Sequence, residues 1–357
     1  ITEKGKGYEP AEGHEQRLHA SKPFDKLTGK AHKQASGGAP SYTSVFSKAM
    51  VEVAKKDEKV VGITAAMPDG TGLDALQKEV PDKYFDVGIA EQHAVTFSAG
   101  MATQGMIPVA AIYSTFLQRA FDQIIHDVAL QKLHVVFVLD RGGLVGADGP
   151  THHGTFDLTY LRMIPNMVVM TPKDEQELRD MLWTAVNYKK GPIALRYPRG
   201  NAVGVEMREG FSEIPIGKAE TISEGEDIAL LAVGKMVDYA NKAAEKLAEE
   251  EISCEVVNMR FIKPLDKEMM DDIVSRFDKV VTLEENALTG GFGSGVLEYF
   301  SEKNYKNDVL RIGIPDRFID HGKPEELHEQ LKIDPKGIVE QVKIFSKGKG
   351  VKQGVPA

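Results

Sequence analysis

Cysteine is almost missing from the sequence. Cys254 is the only one in 357 residues, which excludes an internal disulfide and a cysteine-cluster metal site. It lies in an apolar segment, ISCEVVNM, that is typical of a strand, so we expect a small buried side chain. Such sparing use of cysteine fits a reducing compartment, and we predict a cytoplasmic location.

Long apolar runs and an excess of basic residues are missing as well. No run approaches the roughly 20 apolar residues that cross a bilayer, and the opening ITEKGKGYEPAEG has no apolar segment of a signal peptide. The net charge of -9 argues against general affinity for nucleic acid or for an anionic membrane. We therefore expect neither nucleic acid nor a membrane as a partner.

Because the chain begins at Ile1 without Met, we expect a processed product or a fragment of a longer protein.

Apolar runs that alternate with helical patterns define two regions. In residues 41–200 the runs KVVGITAA, FDV, MIPVAAIY, LHVVFVLD, NMVVMT and PIALRY are separated by helical patterns. Uniformly apolar strands indicate a parallel sheet that is buried on both faces. Residues 226–346 repeat the pattern, so we predict an α/β fold with two doubly wound, mainly parallel-sheet domains. Residues 1–40 are predicted to be a linker, 201–225 a connection and 347–357 a flexible tail.

A glycine-rich segment, GGFGSG at 290–295, follows a predicted strand and precedes a helical pattern. A phosphate can bind at such a place, where backbone N–H groups are exposed at a helix N-terminus. The spacing is GxGxG, however, and not the GxGxxG of dinucleotide sites, and an isolated glycine pattern is weak support for a ligand. We therefore expect a tight structural turn.

Glu91 stands at the start of an apolar helical pattern, in YFDVGIAEQHAVTFSAG. An acid in the first turn of a helix is stabilised by the helix dipole and needs no other role. A ligand-binding role is favoured by the following segment, AIYSTFLQRAFDQIIHDVALQ. It places Tyr113 at a strand end and Phe116 and Arg119 just after it. The carboxyl ends of parallel strands face the ligand crevice. Phe116 could be an ordinary core residue, whereas packing alone does not explain Arg119.

A long loop, DRGGLVGADGPTHHGTFD, carries Arg141, Asp148, His152 and His153 after another strand. Its length, its glycines and its charged residues favour a substrate loop over a simple connector. Adjacent histidines raise the possibility of a metal site, but neighbouring side chains diverge and the sequence has no HExxH pattern. A histidine that transfers a proton fits better, since its ordinary pKa lies near neutrality.

The segment RYPRGN ends a further strand with Arg196 and Arg199. Guanidinium groups suit bidentate contacts with phosphate or carboxylate, although a surface ion pair is an equally simple explanation. Arg119, Arg141 and Arg199 all follow strand ends of one predicted sheet. Three such arginines indicate an anionic ligand.

Taken together, GIAEQHAV, AIYSTFLQRAFDQ, DRGGLVGADGPTHHGTFDL and RYPRGN resemble the 1-deoxy-D-xylulose 5-phosphate synthase family. These synthases are thiamine-diphosphate enzymes of the transketolase superfamily. The resemblance runs from about residue 1 through both α/β regions; GADGPTH is shared with transketolases, while YSTFLQRAFDQ and the TFDL ending favour the synthases. It implies a pyrimidine-binding domain at 41–200 and a transketolase C-terminal domain at 226–346.

The resemblance also implies a cofactor site. Glu91 would hydrogen-bond N1′ of the aminopyrimidine of thiamine diphosphate and so promote loss of the thiazolium C2 proton. The apolar approach through Ile89 and Ala90 suits a carboxyl group that shares a proton, because desolvation favours the neutral form. Phe116 would stack on the pyrimidine, Ile89 would lie near the ring and Arg119 would line the site.

On the substrate side, the resemblance implies that His152 is a catalytic histidine. Tyr113, Arg141 and Arg199 would hold the phosphate of the acceptor aldehyde, and Asp148 would line the same site. The implied reaction is decarboxylation of pyruvate followed by condensation with D-glyceraldehyde 3-phosphate. Its product, 1-deoxy-D-xylulose 5-phosphate, feeds isoprene, thiamine and pyridoxal biosynthesis.

One motif of the superfamily does not occur. The diphosphate is normally bound through Mg²⁺ held by a GDG motif and a later Asn, and the sequence contains no GDG. We therefore expect no metal site in this chain, a diphosphate-binding N-terminal domain that is absent from it, and a homodimer as in the family. Three alternatives stay open: a β-type subunit of a 2-oxo-acid dehydrogenase, a split transketolase, and a non-catalytic fragment that acts as a dimerisation or regulatory partner.

Overall fold

The computed structural model describes residues 3, 5–13, 24–30 and 38–348. They fall into two compact units, Ile1–Gly38 and Ala39–Ala357. In the first unit, helix α1 (Glu9–Glu12) follows Tyr8, whose hydroxyl donates to the Lys26 carbonyl at 2.7 Å. The predicted linker therefore contains local structure. Of the predicted tail, residues 349–357 lie outside the described ranges.

The second unit alternates strands and helices throughout. The strands among the described residues are β1 (Val60–Thr64), β2 (Tyr84–Asp86), β3 (Ile107–Tyr113), β4 (Val136–Gly142), β5 (Val168–Met170), β6 (Ile193–Pro198), β7 (Glu220–Ser223), β8 (Ile228–Ala232), β9 (Cys254–Asn258), β10 (Phe261–Lys263), β11 (Lys279–Ala287) and β12 (Asp308–Ile314). The helices are α2 (Tyr42–Lys56), α3 (Pro68–Thr71), α4 (Asp74–Glu79), α5 (Glu91–Thr103), α6 (Ser114–Leu117), α7 (Phe121–Gln123), α8 (Asp157–Arg162), α9 (Glu175–Asn187), α10 (Met236–Ala248), α11 (Lys267–Arg276), α12 (Phe292–Lys303), α13 (Pro324–Gln330) and α14 (Pro335–Ser346).

The larger sheet has the strand order β10-β5-β6-β4-β3-β1-β2. All its neighbouring strands are parallel except β10, which runs antiparallel to β5. The strands β1, β3, β4, β5 and β6 are buried on both faces, because successive apolar side chains point to opposite sides. The edge strand β2 is partly exposed. In β3, for example, Val109 and Ala111 belong to one core and Ala110 and Ile112 to another. The predicted doubly wound, mainly parallel α/β fold is confirmed.

The smaller sheet has the order β12-β11-β8-β9-β7, with β7 antiparallel at one edge. One face of this sheet shares a continuous core with the larger sheet: Leu231 and Val280 pack in the same cluster as Ile112 and Phe137. The two sheets therefore belong to one packed body. Within the described part of the chain, no helix is both long enough and apolar enough to span a membrane.

The turn at 290–295 has a structural cause. Glu284, on β11, accepts hydrogen bonds from the backbone N–H groups of Phe292 at 2.7 Å and Gly293 at 2.9 Å. A carboxylate at a helix N-terminus is bound there in the way that a phosphate would be. The chain's own side chain thus occupies the first turn of α12, which supports a structural turn at GGFGSG.

Glu284 predicts a pH dependence of stability. Burial raises its pKa from 4.5 to about 7, although the Gly293 and Phe292 N–H groups and Arg311 oppose the shift. The unfolded chain therefore loses this proton near pH 4.5 and the folded chain only near pH 7. The contribution of protonated Glu284 to the free energy of unfolding is complete below pH 4.5 and is lost as the pH rises through 7. The change is on the order of 3 kcal/mol.

The variant Glu284→Gln should lack this contribution. The free energy of unfolding of the wild type minus that of the variant is expected to fall between pH 4.5 and 7.5, as measured by urea unfolding at each pH. Glu302→Gln replaces an exposed acid on α12, the helix whose first turn Glu284 caps, and controls for the loss of one negative charge. A difference between wild type and Glu284→Gln that stays constant across this range would contradict the prediction.

Candidate active site

The candidate site lies at the carboxyl edge of the larger sheet. From β1 the chain goes to β2 on one side and to β3 on the other, so the crevice beyond β1 and β3 is a topological switch point, the usual ligand position in such sheets. Glu91 lies in the segment after β2, Tyr113 is the last residue of β3, and Arg141 lies near the end of β4. The turn MPDGTG at 67–72, which follows β1 and reaches Tyr113, was not predicted from the sequence.

Glu91 is the first residue of α5 and is buried, with 3% of its surface exposed. Its Oε1 accepts from Arg119 Nη1 at 2.6 Å; Oε2 has no hydrogen bond within the described part of the chain. The Arg119 guanidinium lies over the Phe116 ring, 4.6 Å from its centroid. The carboxylate therefore has a charged partner as well as a buried position, and one oxygen is available to a ligand.

Ile89 does not supply the apolar cover that its position beside Glu91 suggests. Its side chain is 77% exposed, although Glu91 itself is buried. The exposed apolar group lies two residues from the carboxylate, where a ligand or another chain can cover it. Its role at the cofactor stays a prediction.

Tyr113 and Arg141 form a stacked unit. The Arg141 guanidinium lies 3.8 Å from the centre of the Tyr113 ring, and its Nη1 donates to the Gly70 carbonyl at 2.6 Å. A side chain at position 70 could not be accommodated, because a Cβ there would lie 1.9 Å from the Tyr113 hydroxyl. Burial raises the pKa of Tyr113 to about 12, although Arg141 and Arg199 oppose the shift. Tyr113 is therefore a neutral phenol that can donate a hydrogen bond.

Asp140 holds Arg141 in place and was not among the predicted site residues. Its Oδ1 accepts from Arg141 at 2.8 Å, and its Oδ2 accepts from the Thr43 hydroxyl at 2.7 Å. Burial raises the pKa of Asp140, while the Arg141 charge opposes that shift. Arg141 itself has φ of +64°, a strained backbone for a residue with a side chain. The sequence offered only the acid at the end of an apolar strand as a signal for this contact.

The loop between Gly143 and Gly154 is closed at its neck. The N–H of each of these two glycines donates to the carbonyl of the other, at 2.7 and 2.8 Å. Near its C-terminal end, the His152 ring packs edge-on against Phe116, with centroids 5.4 Å apart, and His152 Nδ1 lies 2.9 Å from the Thr151 hydroxyl. This arrangement leaves His152 Nε2 as the nitrogen that a ligand in the crevice can reach.

The two adjacent histidines have different environments. His153 is buried, its Nδ1 accepts from the Val145 N–H at 3.1 Å, and its Nε2 lies 3.3 Å from the Asp320 carbonyl. Burial lowers the pKa of His153, which keeps a neutral ring with the proton on Nε2. His153 therefore holds the loop together, whereas His152 faces the aromatic residues of the site. The described residues contain no group of three His, Cys, Asp or Glu side chains that could hold a metal ion.

The two arginines of RYPRGN also have different positions. Arg199 is partly exposed, and its Nη1 donates to Asp148 Oδ2 at 3.0 Å and to the Val145 carbonyl at 3.3 Å. Arg196 is buried and its Nε donates to Asp157 at 3.0 Å. Arg199 is thus available to a ligand, while Arg196 is a structural residue of the core and cannot reach one.

Six of the nine predicted site residues form one continuous set of contacts: Glu91, Arg119, Phe116, Tyr113, Arg141 and His152. Asp148 and Arg199 pair with each other, and Ile89 is exposed. Glu91 contacts Arg119, Arg119 lies over Phe116, and Phe116 contacts both Tyr113, with centroids 5.7 Å apart, and His152. The set offers a buried carboxylate that is linked through Arg119 to an aromatic ring, which suits a flat heteroaromatic base with a basic ring nitrogen. An aminopyrimidine has this chemistry, so the residues fit the part of thiamine diphosphate expected in a pyrimidine-binding domain.

Comparison with known families gives two matches along the chain. The model of the transketolase pyrimidine-binding domain matches residues 38–203, and that of the transketolase C-terminal domain matches residues 217–338. The second range includes β10, which nevertheless pairs with β5 in the larger sheet.

Curated relatives are similar over nearly the whole chain. The chain is 55% identical over 347 residues to 1-deoxy-D-xylulose-5-phosphate synthase of Aquifex aeolicus, covering 97% of this chain and 55% of that protein. It is 54% identical over 351 residues to 1-deoxy-D-xylulose-5-phosphate synthase 1 of Geobacter sulfurreducens, covering 98% of this chain and 55% of that protein. The chain thus spans about half the length of the curated relatives that it matches.

Solved structures show the same architecture. One described as a split gene transketolase, inactive beta4 tetramer, is 30% identical with a TM-score of 0.77, and the match covers 88% of this chain and 100% of that chain. The transketolase of Campylobacter jejuni, at 20% identity and a TM-score of 0.71 over 88% of this chain and 48% of that one, shows the shared fold. The resemblance found in the sequence motifs is confirmed: this chain belongs to the transketolase family, as a relative of the 1-deoxy-D-xylulose-5-phosphate synthases, and carries the pyrimidine-binding and C-terminal domains.

Proposed function

We propose that this chain is the pyrimidine-binding part of a thiamine-diphosphate-dependent transferase. The proposed reaction condenses pyruvate, with decarboxylation, and D-glyceraldehyde 3-phosphate to 1-deoxy-D-xylulose 5-phosphate. The observation that carries the proposal is the continuous contact set from Glu91 through Phe116 to His152 and Arg141, at the carboxyl edge of the larger sheet. Relatives at 54–55% identity bear the name of that synthase.

The proposed cofactor residues are Glu91, Phe116, Arg119 and Ile89. Bound thiamine diphosphate supplies a nucleophilic carbon that can accept an acyl group. Glu91 hydrogen-bonds the aminopyrimidine through Oε2, and Arg119 fixes the carboxylate through Oε1. Phe116, whose ring lies against the Arg119 guanidinium, stacks on the pyrimidine, and Ile89, which is exposed, excludes water when the site is covered.

The proposed substrate residues surround the loop 143–154. His152 exchanges a proton with the carbonyl oxygen of the acceptor through Nε2, since Nδ1 lies at the Thr151 hydroxyl. Arg141 and Arg199 provide positive charge for the acceptor phosphate, and the neutral phenol of Tyr113 donates to it. Asp148 orients Arg199 through their 3.0 Å contact. We propose no metal site in this chain and place Mg²⁺ with the diphosphate.

A second part of the enzyme is also proposed. The curated relatives are about twice as long as this chain, and the solved structure that it covers completely is described as inactive. We propose that a diphosphate-binding half, on the same or another polypeptide, completes the site, and that two copies form a homodimer. A cytoplasmic location suits both substrates. The proposed domain limits are those of the sequence prediction, 41–200 and 226–346.

Reconstitution tests this proposal. The chain alone, with thiamine diphosphate, Mg²⁺, pyruvate and D-glyceraldehyde 3-phosphate, should show negligible product formation. Addition of the diphosphate-binding half of the Aquifex aeolicus relative, or its fusion to the chain, should give product that requires both substrates. Tight binding of thiamine diphosphate with Mg²⁺ to the chain alone, measured by calorimetry, would contradict the need for a second half.

A split transketolase is the second candidate, favoured by the complete coverage of the split-gene structure. The same reconstituted assembly distinguishes the two if the acceptor is varied. Preference for ribose 5-phosphate would support a transketolase, and preference for lipoamide a 2-oxo-acid dehydrogenase subunit. An assembly that is properly formed and inactive with every acceptor would support a regulatory or dimerisation partner.

A further inference from the structure

We infer that Glu285, on the smaller sheet, is a positioning residue that sets the conformation of the loop 143–154 through the N–H of Leu144. The inference rests on the proposed function, because the loop is proposed to carry the substrate residues Asp148 and His152. The C-terminal domain then has a specific role, since it holds the substrate loop of the first domain in place.

The contact between the two domains at Glu285 is direct. Glu285 lies on β11 with 3% of its surface exposed, and its Oε1 accepts from the Leu144 N–H at 3.0 Å. The approach is so close that only glycine fits at position 143, where a Cβ would lie 2.3 Å from Glu285 Cδ. Gly143 also has φ of +80°, which favours glycine. The loop therefore leaves β4 along a path that Glu285 defines.

A buried histidine orients this carboxylate. His328 Nε2 lies 2.7 Å from the same Oε1 of Glu285, and His328 Nδ1 lies 3.0 Å from the Tyr239 hydroxyl. Burial alone would raise the pKa of Glu285, but His328, Lys235 and Arg196 lower it below its ordinary value. Glu285 is thus held as an anion, and a charged acceptor makes a stronger hydrogen bond to an N–H group than a neutral one does.

Other contacts fix the same loop to the same domain. The Gly322 N–H donates to the Gly146 carbonyl at 3.3 Å, and the Ala287 N–H donates to the Thr155 carbonyl at 2.8 Å. His153 reaches the Asp320 carbonyl from within the loop. Both ends of the loop are therefore attached to the C-terminal domain, and Glu285 is the charged member of this attachment.

A purely structural role for Glu285 is the simplest alternative. It would lower stability when Glu285 is replaced, without any particular effect on the loop. If Glu285 positions the loop, its replacement has two further effects. Hydrogen exchange at the Leu144 amide becomes faster, and the KM for the acceptor aldehyde rises because a displaced loop moves Asp148 and His152. The adjacent Glu284 offers a matched control, since it is buried on the same strand and caps α12 instead of contacting the loop.

The test compares Glu285→Met, Glu285→Gln and Glu284→Met in the assembly of this chain with its diphosphate-binding half. Amide hydrogen exchange at Leu144 should be at least about tenfold faster in Glu285→Met and unchanged in Glu284→Met. The KM for D-glyceraldehyde 3-phosphate should rise roughly tenfold in Glu285→Met, with the KM for pyruvate unchanged. Glu285→Gln keeps an acceptor oxygen. Its Leu144 exchange rate and its KM for D-glyceraldehyde 3-phosphate should therefore lie close to the wild-type values.

The outcomes separate the inference from the proposed function. Unchanged Leu144 exchange in folded Glu285→Met, or equal acceleration in Glu284→Met, would overturn the inference. If Glu285→Met does not fold, Tyr239→Phe decides, because it removes the hydroxyl that contacts His328, the residue that orients Glu285. Exchange at Leu144 as slow as in the wild type would again overturn the inference. If the wild-type assembly forms no product, the proposed function fails, and hydrogen exchange alone then decides whether Glu285 positions the loop.

Discussion

Replacement of Glu91 by Ala is expected to lower the kcat of the reconstituted assembly by about 10²- to 10⁴-fold, the range typical of a positioned proton-transfer group. The variant loses the only carboxylate of the contact set that extends to Phe116 and His152. It should still fold, because its partner Arg119 is 47% exposed and can turn toward solvent when the ion pair is removed.

Steady-state kinetics with pyruvate and D-glyceraldehyde 3-phosphate measures the effect. Gln92→Ala, an exposed neighbour on the same helix α5, is the matched control and should retain the wild-type kcat within about twofold, as surface substitutions usually do. Glu91→Gln keeps the shape of the side chain without its charge, and it should be nearly as slow as Glu91→Ala. Appreciable turnover by Glu91→Ala would remove Glu91 from the proposed role.

Most of the fold could be predicted from the local pattern of apolar residues. The features that were missed depend on contacts between distant parts of the chain. Uniformly apolar runs located the strands of the parallel core, since burial on both faces leaves few polar positions. β7 and β10 were missed because they are short and mixed in composition. β10 also pairs with β5, more than 90 residues earlier, where one edge of the larger sheet is open. No sequence period signals a pairing of that kind.

For the candidate site, too, some residues could be predicted from the sequence and others depend on tertiary contacts. The rule that ligands bind at strand carboxyl ends placed Tyr113, Arg141 and Arg199 near one another, and the structure brings the first two into contact. The rule could not distinguish Arg196 from Arg199, because that difference depends on whether the side chain points into the core or lies beyond the end of β6. Buried partners, such as Asp140 for Arg141, depend on tertiary contacts that a single sequence does not display.

Arg196 provides the largest expected effect on stability. Its guanidinium donates to Asp157 at 3.0 Å and to the carbonyls of Glu285 at 2.7 Å and Gly154 at 3.2 Å. Both charged side chains are almost completely buried. Removal of Arg196 leaves Asp157 in the core with the Ser114 hydroxyl and the Leu158 N–H as donors but without an opposite charge. Such a loss typically costs about 3 to 5 kcal/mol. Arg196→Met is therefore expected to lower the free energy of unfolding by about that amount.

A double variant tests whether the buried charge of Asp157 causes this loss of stability. Asp157→Asn in the background of Arg196→Met removes the uncompensated charge and should recover more than about 1 kcal/mol of the loss, since the two residues are coupled. Lys242→Met breaks the exposed pair of Lys242 with Asp238 on α10 and should cost less than about 1 kcal/mol. Urea unfolding of the four proteins measures each value. If Arg196→Met is no less stable than Lys242→Met, or if Asp157→Asn adds to the loss, an uncompensated buried charge is not the source of the effect.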